Sequence, residues 1–414
     1  MDDRGPGAIR RADAMSACSP VAVIGAGNVG CALAADLALR GVEVRLFNRS
    51  PGRLAAIRDA GGIIVTGEID GFAAPALVTG SLEQAVDGAG VVAVTVPTAS
   101  LPAYAAALTR ATADEQLIWL NPGHSGGALY LAAELARAGR GRRTICQLTT
   151  ASHASRLTGP ATVRVFLRAR ASVAALPASH LEECHRRLDA LLPGQFGRAE
   201  SVLEADLANL NAILHPPGMV CNAGWIEATA GKFGFYAEGS GPAVARVMDA
   251  IDHERLELAR ALGVRAVPFT ELFHQLGFTA GQDFHGGGAY RAIQHSELIR
   301  PIQSPPQLDH RYLHEDVGWG LVPWMHLATA TGSPAPTITA LTHLAGAING
   351  IDYPRQGLTL ERMGLAGKTP GEIRAHVGVP TAEQAGAPSL TSCRQAREHP
   401  HRAGSARSAP STAI

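Results

Sequence analysis

Residues 20–30 read PVAVIGAGNVG, and this stretch decides the fold of the first half of the chain. Its apolar beginning, residues 20–25, predicts a short buried strand that runs directly into a glycine-rich turn. Residues 31–40 then predict a helix, and residues 42–47 predict a second strand. A strand, a GxGxxG turn, a helix and a strand in this order are typical of a dinucleotide-binding sheet.

The turn offers a backbone site for phosphate groups. Gly25 allows the tight turn, Gly27 lets the backbone approach a pyrophosphate, and Gly30 lets the helix pack closely on the sheet. The first helical residues, Asn28 and Val29, add free amides at the helix N-terminus, where anions bind. The alternative is a glycine-rich turn without a ligand, which the flanking strands and helix disfavour.

The end of the second strand indicates which dinucleotide is bound. An acidic residue there would bind the ribose 2′-hydroxyl of NAD, but the sequence is Asn48-Arg49-Ser50. Glu43 is acidic but lies too early, inside the strand. Because a guanidinium offers a fork of donors to a phosphate, Arg49 and Ser50 predict a preference for NADP(H), with NAD(H) as the alternative.

Strands and helices continue to alternate after this point. Further strands are predicted at residues 63–66, 76–79, 91–96, 117–120 and 144–148. This alternation predicts an α/β domain with a Rossmann-type, doubly wound, mostly parallel sheet. Ligands of such sheets bind beyond the carboxyl ends of the strands, so Val96-Pro97 and the segment containing His124 are expected to line the nicotinamide site.

The second half of the chain has a different pattern. After residues 163–167 and 172–175, two more predicted strands, the sequence becomes helix-periodic and predicts a mostly α-helical C-terminal domain. Helices are predicted at residues 181–192, 204–214, 243–262, 290–297, 314–330 and 337–348. We expect a nucleotide-binding domain over residues 19–180 and a helical domain over 181–380, between disordered tails at 1–18 and 381–414.

The composition is that of a globular protein with two domains. The chain has 414 residues, 46% of them apolar and 17% charged, and its formal net charge is zero. This balance gives no electrostatic argument for nucleic acid or for a membrane surface as partner. The six cysteines have no metal-ligand spacing, and no signal peptide or membrane span is evident, so we expect free thiols, no metal and a cytoplasmic location.

One stretch near the middle of the chain contains a candidate functional histidine. Residues 211–224 read NAILHPPGMVCNAG and place His215 directly before Pro216 and Pro217. A residue before proline is pushed out of the α region, so we expect the helix to be interrupted or kinked at His215, which would turn the imidazole towards a cleft. The alternative is a core histidine whose ring is bonded to a backbone carbonyl.

A second cluster of charges follows about a hundred residues later. Residues 310–324 read HRYLHEDVGWGLVPW, which encloses Arg311 and Asp316 between aromatic and apolar residues. A solvated charged face is the ordinary interpretation of such a cluster. The surrounding apolar residues favour a partly enclosed site instead.

The succession of these motifs resembles that of a known family. The glycine turn is followed by NxxxHPPGMxxNAG, by FYAEG with IDHERLELARALG, and by RYLxED…GLVPW. Over about residues 20–365 this order is similar to the opine dehydrogenases (octopine/nopaline dehydrogenases), which couple an amino acid to a 2-oxo acid by NAD(P)H-dependent reductive amination. The resemblance implies a helical domain like the C-terminal domain of 6-phosphogluconate dehydrogenase, small-molecule substrates, and a monomer or homodimer.

The resemblance also implies roles for particular residues. His215 and Asp316 would be the catalytic pair, and Arg311 would bind a substrate carboxylate. On the substrate side it implies three further residues, His124, Ser155 and Asn211. The chemistry agrees with this assignment, because the carbonyl oxygen must leave as water before hydride addition, and histidine exchanges protons near neutral pH.

Two departures from the family pattern leave the substrates open. Residues 149–156 read TTASHASR where the family tends to have a Thr-Leu-Pro-like segment, and Gly318-Trp319 stands where a Pro-Tyr pair is common. An alternative function is ketone reduction of the ketopantoate reductase or glycerol-3-phosphate dehydrogenase type, for which Lys232 would be the catalytic acid. A further alternative is a dinucleotide sensor without turnover, which would be favoured if His215 and Asp316 lay far apart.

Overall fold

The structure is a computed structural model, and it describes residues 19–141, 143–279 and 287–379. The predicted tails, residues 1–18 and 381–414, lie outside the described residues.

The strands of the described part belong to two sheets. They are β1 (Val21–Ile24), β2 (Val44–Phe47), β3 (Ile63–Gly67), β4 (Gly71–Ala73), β5 (Leu77–Thr79), β6 (Val91–Val94), β7 (Leu117–Leu120), β8 (Ile145–Leu148), β9 (His153–Gly159), β10 (Thr162–Arg168), β11 (Ser172–Leu176) and β12 (Gly197–Arg198).

The larger sheet has the order β12-β11-β8-β7-β6-β1-β2-β5. Its neighbouring strands are parallel except β8 and β11, which pair antiparallel. The central strands are completely buried, as in the runs VAVI of β1 and LIWL of β7, because helices cover both faces of the sheet. The predicted Rossmann-type sheet is therefore confirmed.

The smaller sheet was not predicted. It has the order β4-β3-β10-β9, and it separates β3 and β10 from the larger sheet, to which the sequence pattern assigned them. The reason is visible in β10, where Val163 and Val165 are buried while Arg164 and Phe166 are exposed. This alternation is typical of a sheet with one face in solvent and not of a strand covered on both sides.

The helices surround the larger sheet and form the second half of the chain. They are α1 (Asn28–Leu39), α2 (Pro51–Asp59), α3 (Leu82–Val86), α4 (Pro102–Ala111), α5 (Gly127–Arg137), α6 (Leu181–Leu191), α7 (Val202–Leu207), α8 (Leu210–Val220), α9 (Ala223–Thr229), α10 (Pro242–Leu262), α11 (Phe269–Gln275), α12 (Gly288–Gln294), α13 (Arg311–Asp316), α14 (Val322–Thr331), α15 (Pro336–Asn349), α16 (Tyr353–Gln356) and α17 (Pro370–His376). After β12 the described residues form no further strand.

The predicted helix interruption at His215 is wrong. Helix α8 runs through this residue and through Pro216 and Pro217, and the break falls earlier, between α7 and α8. There the side-chain oxygen of Asn209 accepts hydrogen bonds from the backbone amides of Asn211 (3.1 Å) and Ala212 (3.4 Å). This N-cap begins a new helix, since it satisfies amides that have no partner within the helix.

The segment predicted as one helix over residues 314–330 is divided in three. Helix α13 ends at Asp316, a π-helical turn covers Val317–Leu321, and α14 follows. The wider turn leaves the Gly318 carbonyl free to accept a hydrogen bond from the Leu358 amide at 2.8 Å. Such π-turns occur frequently at functional sites, and this one directly follows a predicted catalytic residue.

One apolar core joins the sheet and the helices. It includes Val94 and Leu120 of the sheet together with Ile213 and Trp324 of the helical half. The chain up to Val379 accordingly forms one compact unit, so the boundary near residue 180 remains a prediction. None of the described helices combines the length and the apolar character needed to cross a bilayer.

Candidate active site

The glycine turn after β1 has the backbone geometry that the motif requires. Gly25 has φ +112°, a conformation that side chains disfavour, and a Cβ on Gly30 would lie 1.7 Å from the Gly25 carbonyl oxygen. Around Gly27, in contrast, a Cβ would meet nothing within 4 Å. The turn therefore packs tightly where α1 meets the sheet and stays open at Gly27, where a pyrophosphate would approach.

An open cleft of about 820 Å³ leads away from Gly27. It is lined by Asn48 and Ser50, which follow β2, and by residues 157–160 at the end of β9. The side-chain oxygen of Asn48 accepts a hydrogen bond from the Ala26 amide at 3.2 Å, which fixes the end of β2 against the glycine turn. The cleft lies beside the glycine turn and the end of β2, where the adenosine and phosphates of a dinucleotide would bind in such a sheet.

The other residues predicted to contact the cofactor, Asn28, Val29, Val96 and Pro97, do not line this cleft. Asn28 begins α1, and its side-chain oxygen accepts a hydrogen bond from the Leu157 amide at 2.9 Å, which ties the smaller sheet to the glycine turn. Val29 follows it in the first turn of α1 and is half-buried. Val96 is buried beside Gly25, whereas Pro97 is exposed after β6.

Two arginines follow β2, and they differ in position. The guanidinium of Arg49 lies over the ring of Tyr104, 4.5 Å from its centre. Arg53, in the first turn of α2, lines the cleft and donates to the Pro160 carbonyl at 3.3 Å. Sequence reasoning missed Arg53, although its four-residue spacing from Arg49 across the start of a helix was a readable signal.

His215 and Asp316 are in direct contact although 101 residues separate them. Nδ1 of His215 lies 2.7 Å from Oδ2 of Asp316, and both residues are buried, with 6% and 1% of their surface exposed. Nε2 of His215 lies 2.9 Å from the hydroxyl of Tyr236, a residue to which sequence reasoning gave no role. The second oxygen of Asp316 is buried without a hydrogen-bond partner among the described residues.

Aromatic rings enclose this histidine. The ring of Tyr312 stacks on it with centres 3.6 Å apart and an angle of 9° between the planes. Phe235 packs beside it at 6.3 Å. Tyr312 is on α13 and Phe235 lies before α10, so the packing of separate segments holds the imidazole in one orientation.

Arg311 is held by a carboxylate that sequence reasoning also missed. Its Nε donates to Glu315 at 3.0 Å, one turn along α13, while 52% of the arginine side chain stays exposed. The other oxygen of Glu315 accepts a hydrogen bond at 3.0 Å from the amide of Thr98, which follows β6. Burial raises the pKa of Glu315, and the Arg311 guanidinium opposes that shift. Glu315 thus fixes Arg311 and ties α13 to the carboxyl edge of the sheet.

His124 lies after β7 and belongs to the same cluster. It is 5% exposed, and burial lowers its pKa to about 4, so the ring is neutral at pH 7. Asp316, Arg311 and His215 are near enough for their charges to act on its pKa. Its Nδ1 has no partner among the described residues and could therefore serve a ligand.

The loop that carries His124 is held by the end of α7 and the turn between α7 and α8. Asp206 accepts hydrogen bonds at 2.7 Å from the Gly126 amide and from Gln147, and Asn209 donates to the Ser125 hydroxyl at 3.1 Å. Ser125 has φ +41°, a conformation that non-glycine residues rarely adopt. The same short segment therefore starts the helix of His215 and holds the loop of His124.

Asn211 and Ser155 differ in their relation to this cluster. Asn211 lies one turn before His215 on α8, so the two residues share a helix face. Ser155 lies on β9, and its hydroxyl donates to the His153 carbonyl of the same strand at 3.5 Å. The next residue, Arg156, points to the opposite face of the strand, and its charge acts on Tyr312.

The residues that depart from the family pattern have structural partners. His153 is buried, with Nε2 3.0 Å from Oδ2 of Asp36 and Nδ1 2.8 Å from the hydroxyl of Ser152. The contact with Asp36 fastens β9 to α1. Trp319, in the π-turn, packs edge-on against Tyr130 with ring centres 5.2 Å apart. Lys232, the catalytic acid of the ketone-reductase alternative, is exposed.

Family models cover most of the described chain. The model of the NAD-dependent glycerol-3-phosphate dehydrogenase N-terminus matches residues 20–172. The model of the NAD/NADP octopine/nopaline dehydrogenase alpha-helical domain matches residues 198–349.

Whole-chain relatives agree with the family models. The chain is 34% identical over 358 residues to opine dehydrogenase of Arthrobacter sp. (strain 1C), which covers 86% of this chain and 98% of the relative. It is 27% identical over 365 residues to vitopine synthase of Allorhizobium ampelinum, with coverages of 86% and 98%.

Solved structures share the fold. Octopine dehydrogenase with NADH and L-arginine has a TM-score of 0.70 at 21% identity, covering 88% of this chain and 99% of its own. Yersinopine dehydrogenase with NADP+ has a TM-score of 0.66 at 16% identity, covering 87% and 98%.

The Rossmann sheet, the glycine turn and the helical half define an NAD(P)-dependent dehydrogenase that binds NAD(H) or NADP(H). Identity to a curated relative over nearly its whole length then decides the family. The chain belongs to the opine dehydrogenase family, as the sequence motifs predicted.

Proposed function

We propose that this protein is an opine dehydrogenase that condenses an amino acid with a 2-oxo acid and reduces the resulting imine at the CH–NH bond. The observation that carries the proposal is the buried contact of 2.7 Å between His215 and Asp316, next to the carboxyl edge of the cofactor sheet. A large separation of these residues would have favoured the sensor alternative. Their contact, together with the exposed position of Lys232, favours an enzyme of the opine type.

The His–Asp pair accounts for the proton chemistry. Forming the imine removes the carbonyl oxygen as water, so a group near the reacting carbon must donate a proton and later accept one. Asp316 accepts a hydrogen bond from Nδ1–H of His215, and this bond fixes the tautomer of the ring and stabilises the imidazolium. When bound, NAD(P)H supplies the hydride that reduces the imine.

Arg311 supports binding of the 2-oxo acid. About half of its side chain is exposed (52%), and a guanidinium binds a carboxylate through two parallel hydrogen bonds. Because Glu315 is anchored to Thr98, Arg311 is oriented relative to the end of β6. His124, a neutral histidine with an unpaired ring nitrogen, and Asn211, on the His215 face of α8, are proposed as further substrate contacts.

The cofactor cleft supports a preference for NADP(H). Arg53 and Ser50 line the cleft, and Arg49 lies beside it over Tyr104. The residues that line the cleft in the described part of the chain include no carboxylate that would bind a ribose 2′-hydroxyl. Two guanidinium groups near the expected 2′-position would attract a phosphate at that place.

A substrate matrix tests this function. Each amino acid is combined with each of several 2-oxo acids, and oxidation of NADPH and NADH is measured with the product identified by mass spectrometry. We expect at least one pair to yield a secondary amine with loss of water. Turnover of 2-oxo acids to hydroxy acids without any amine product would overturn the proposal in favour of ketone reduction.

A further inference from the structure

Both ring nitrogens of His215 are occupied. Nδ1 lies 2.7 Å from Asp316, and Nε2 lies 2.9 Å from the hydroxyl of Tyr236. An imidazole gains and loses protons at these two nitrogens and nowhere else on the ring. The group bonded to Nε2 therefore decides how a proton travels between His215 and a substrate.

The direction of each hydrogen bond follows from the partners. An ionised carboxylate only accepts hydrogen bonds, so Nδ1 of His215 carries a proton and donates a hydrogen bond to Asp316. In the neutral ring, Nε2 is therefore an acceptor for the Tyr236 hydroxyl. In the imidazolium, Nε2 carries a proton and donates it to the Tyr236 oxygen. The hydroxyl of Tyr236 can then donate its own proton either to the Tyr312 side chain, with which it also forms a hydrogen bond, or to a substrate oxygen.

Both residues of this hydrogen bond are buried. His215 is 6% exposed and Tyr236 is 3% exposed, and the stacked ring of Tyr312 covers one face of the imidazole. Burial, and then the neighbouring Tyr312 and Asp316, raise the pKa of Tyr236 well above its ordinary value. Tyr236 consequently stays a phenol, which can accept a proton with its oxygen and donate one from its hydroxyl at the same time.

We propose that Tyr236 is a catalytic residue, whose hydroxyl passes the proton between Nε2 of His215 and the reacting oxygen of the substrate. This inference rests on the proposed function. The imidazolium gives its Nε2 proton to the Tyr236 oxygen, while the Tyr236 hydroxyl gives its proton to the hydroxyl oxygen of the carbinolamine. The C–O bond breaks, its electron pair leaves with the oxygen as water, and the nitrogen lone pair forms the C=N bond. The positive charge moves from the ring to the iminium, so the step is balanced.

Replacement of Tyr236 by phenylalanine tests the relay. Tyr236→Phe keeps the ring and removes the hydroxyl, and we expect kcat for amine formation to fall by about 100-fold, as for loss of a general acid. The KM for NAD(P)H stays as in the wild type, because the hydroxyl does not contact the cofactor cleft. Tyr236→His, whose ring can still accept and donate a proton, recovers part of the lost activity.

A matched control is provided by Tyr353. This buried tyrosine also bonds a histidine, since its hydroxyl lies 2.8 Å from Nδ1 of His314 on α13. Tyr353→Phe makes the same chemical change outside the catalytic pair, and its kcat should equal that of the wild type. Thermal melts of both variants show whether a loss of activity comes from loss of fold.

Solvent isotope effects separate a relay from a merely structural hydroxyl. In mixtures of H₂O and D₂O the wild-type rate should depend on the deuterium fraction along a curve, because two protons move together, and in Tyr236→Phe the curve becomes a line. A Tyr236→Phe enzyme with wild-type kcat and an unchanged isotope curve overturns the proposal. If Tyr236→Phe behaves in this way while His215→Ala is inactive, only the role of Tyr236 is refuted. A wild-type enzyme that forms no amine refutes the proposed function itself.

Discussion

The cofactor turn and the histidine cluster are built by different means. At the turn, backbone geometry within one strand, one turn and one helix determines the site, as the 1.7 Å approach between a Gly30 Cβ and the Gly25 carbonyl shows. In the cluster, side chains from distant segments determine the site, since His215 and Asp316 are 101 residues apart and Thr98 and Glu315 are 217 apart. The first site is therefore local and tolerates almost no change of shape. The second depends on tertiary packing and on individual polar atoms.

The strongest test of the local site compares two of its glycines. Gly30→Ala would force a Cβ into the Gly25 carbonyl, so we expect loss of several kcal/mol of stability and little folded protein. Gly27→Ala meets open space and should fold normally, yet bind NAD(P)H more weakly, because its methyl group lies where the pyrophosphate approaches. Thermal unfolding and fluorescence titration with NADPH measure the two effects. Similar stability of the two variants would show that the turn is not the rigid element described above.

The next effect concerns the side-chain site. Arg311→Leu removes two charge-assisted hydrogen bonds to a carboxylate, each worth about 1.5 kcal/mol, so the KM for the 2-oxo acid should rise about 100-fold. Arg311→Lys keeps the charge but loses the planar fork, and it should recover only part of the affinity. Steady-state kinetics with varied 2-oxo acid at saturating amino acid measure this. An unchanged KM would remove Arg311 from substrate binding.

A more gradual effect should appear in stability as a function of pH. Burial raises the pKa of Asp206 from 3.8 to about 7, so between these values the folded protein holds a proton that the unfolded chain has lost. Stability therefore falls as pH rises through this window, by about 1.4 kcal/mol per unit of pKa difference at most. Asp206→Asn removes this dependence, so the free energy of unfolding of the variant minus that of the wild type should rise between pH 4 and pH 7.

Urea unfolding of both proteins across this pH range measures the difference. Opposing groups cancel in the comparison, including His124, whose lowered pKa makes stability rise with pH over part of the same range. Parallel curves for the two proteins would mean that Asp206 is ionised at low pH in the folded state.

The smallest effect concerns the choice of cofactor. Removing one of two guanidinium groups near a 2′-phosphate should cost about tenfold in NADPH affinity and little in NADH affinity. Arg53→Ala tests the residue that lines the cleft, and Arg49→Ala tests the one stacked on Tyr104. Ratios of kcat/KM for NADPH and NADH provide the measurement. An equal loss of kcat/KM with both cofactors would mean that these arginines bind phosphates common to NADPH and NADH, or that they only stabilise the fold.

The predictable parts of the molecule are those set by local sequence. The order of apolar strands, glycine turn and helices predicted the Rossmann sheet, and motif order predicted the family. The smaller sheet escaped prediction because β3 pairs with β10, about a hundred residues away. The start of α8 was missed because apolar periodicity continues through Asn209, whose capping role depends on one side-chain oxygen.

In the candidate active site, too, the residues within motifs could be predicted and the contacts between distant segments could not. His215, Asp316 and Arg311 belong to sequence motifs and could be named in advance. Tyr236 and Glu315 stand inside motifs as well, but their partners at 2.9 Å and 3.0 Å come from other segments and become visible only in the folded chain. Sequence pattern therefore identified the residues of the His–Asp contact, and packing determined which atoms lie within hydrogen-bonding distance.

A double-mutant cycle on His215 and Asp316 tests the central claim most directly. Because Asp316 acts through His215, His215→Ala should lower kcat/KM by about 10³-fold, and adding Asp316→Asn should lower it no further. Affinity for NADPH, measured in the same proteins, should remain that of the wild type. Additive losses, or a His215→Ala enzyme with wild-type turnover, would contradict the account of these two residues as one proton-handling unit.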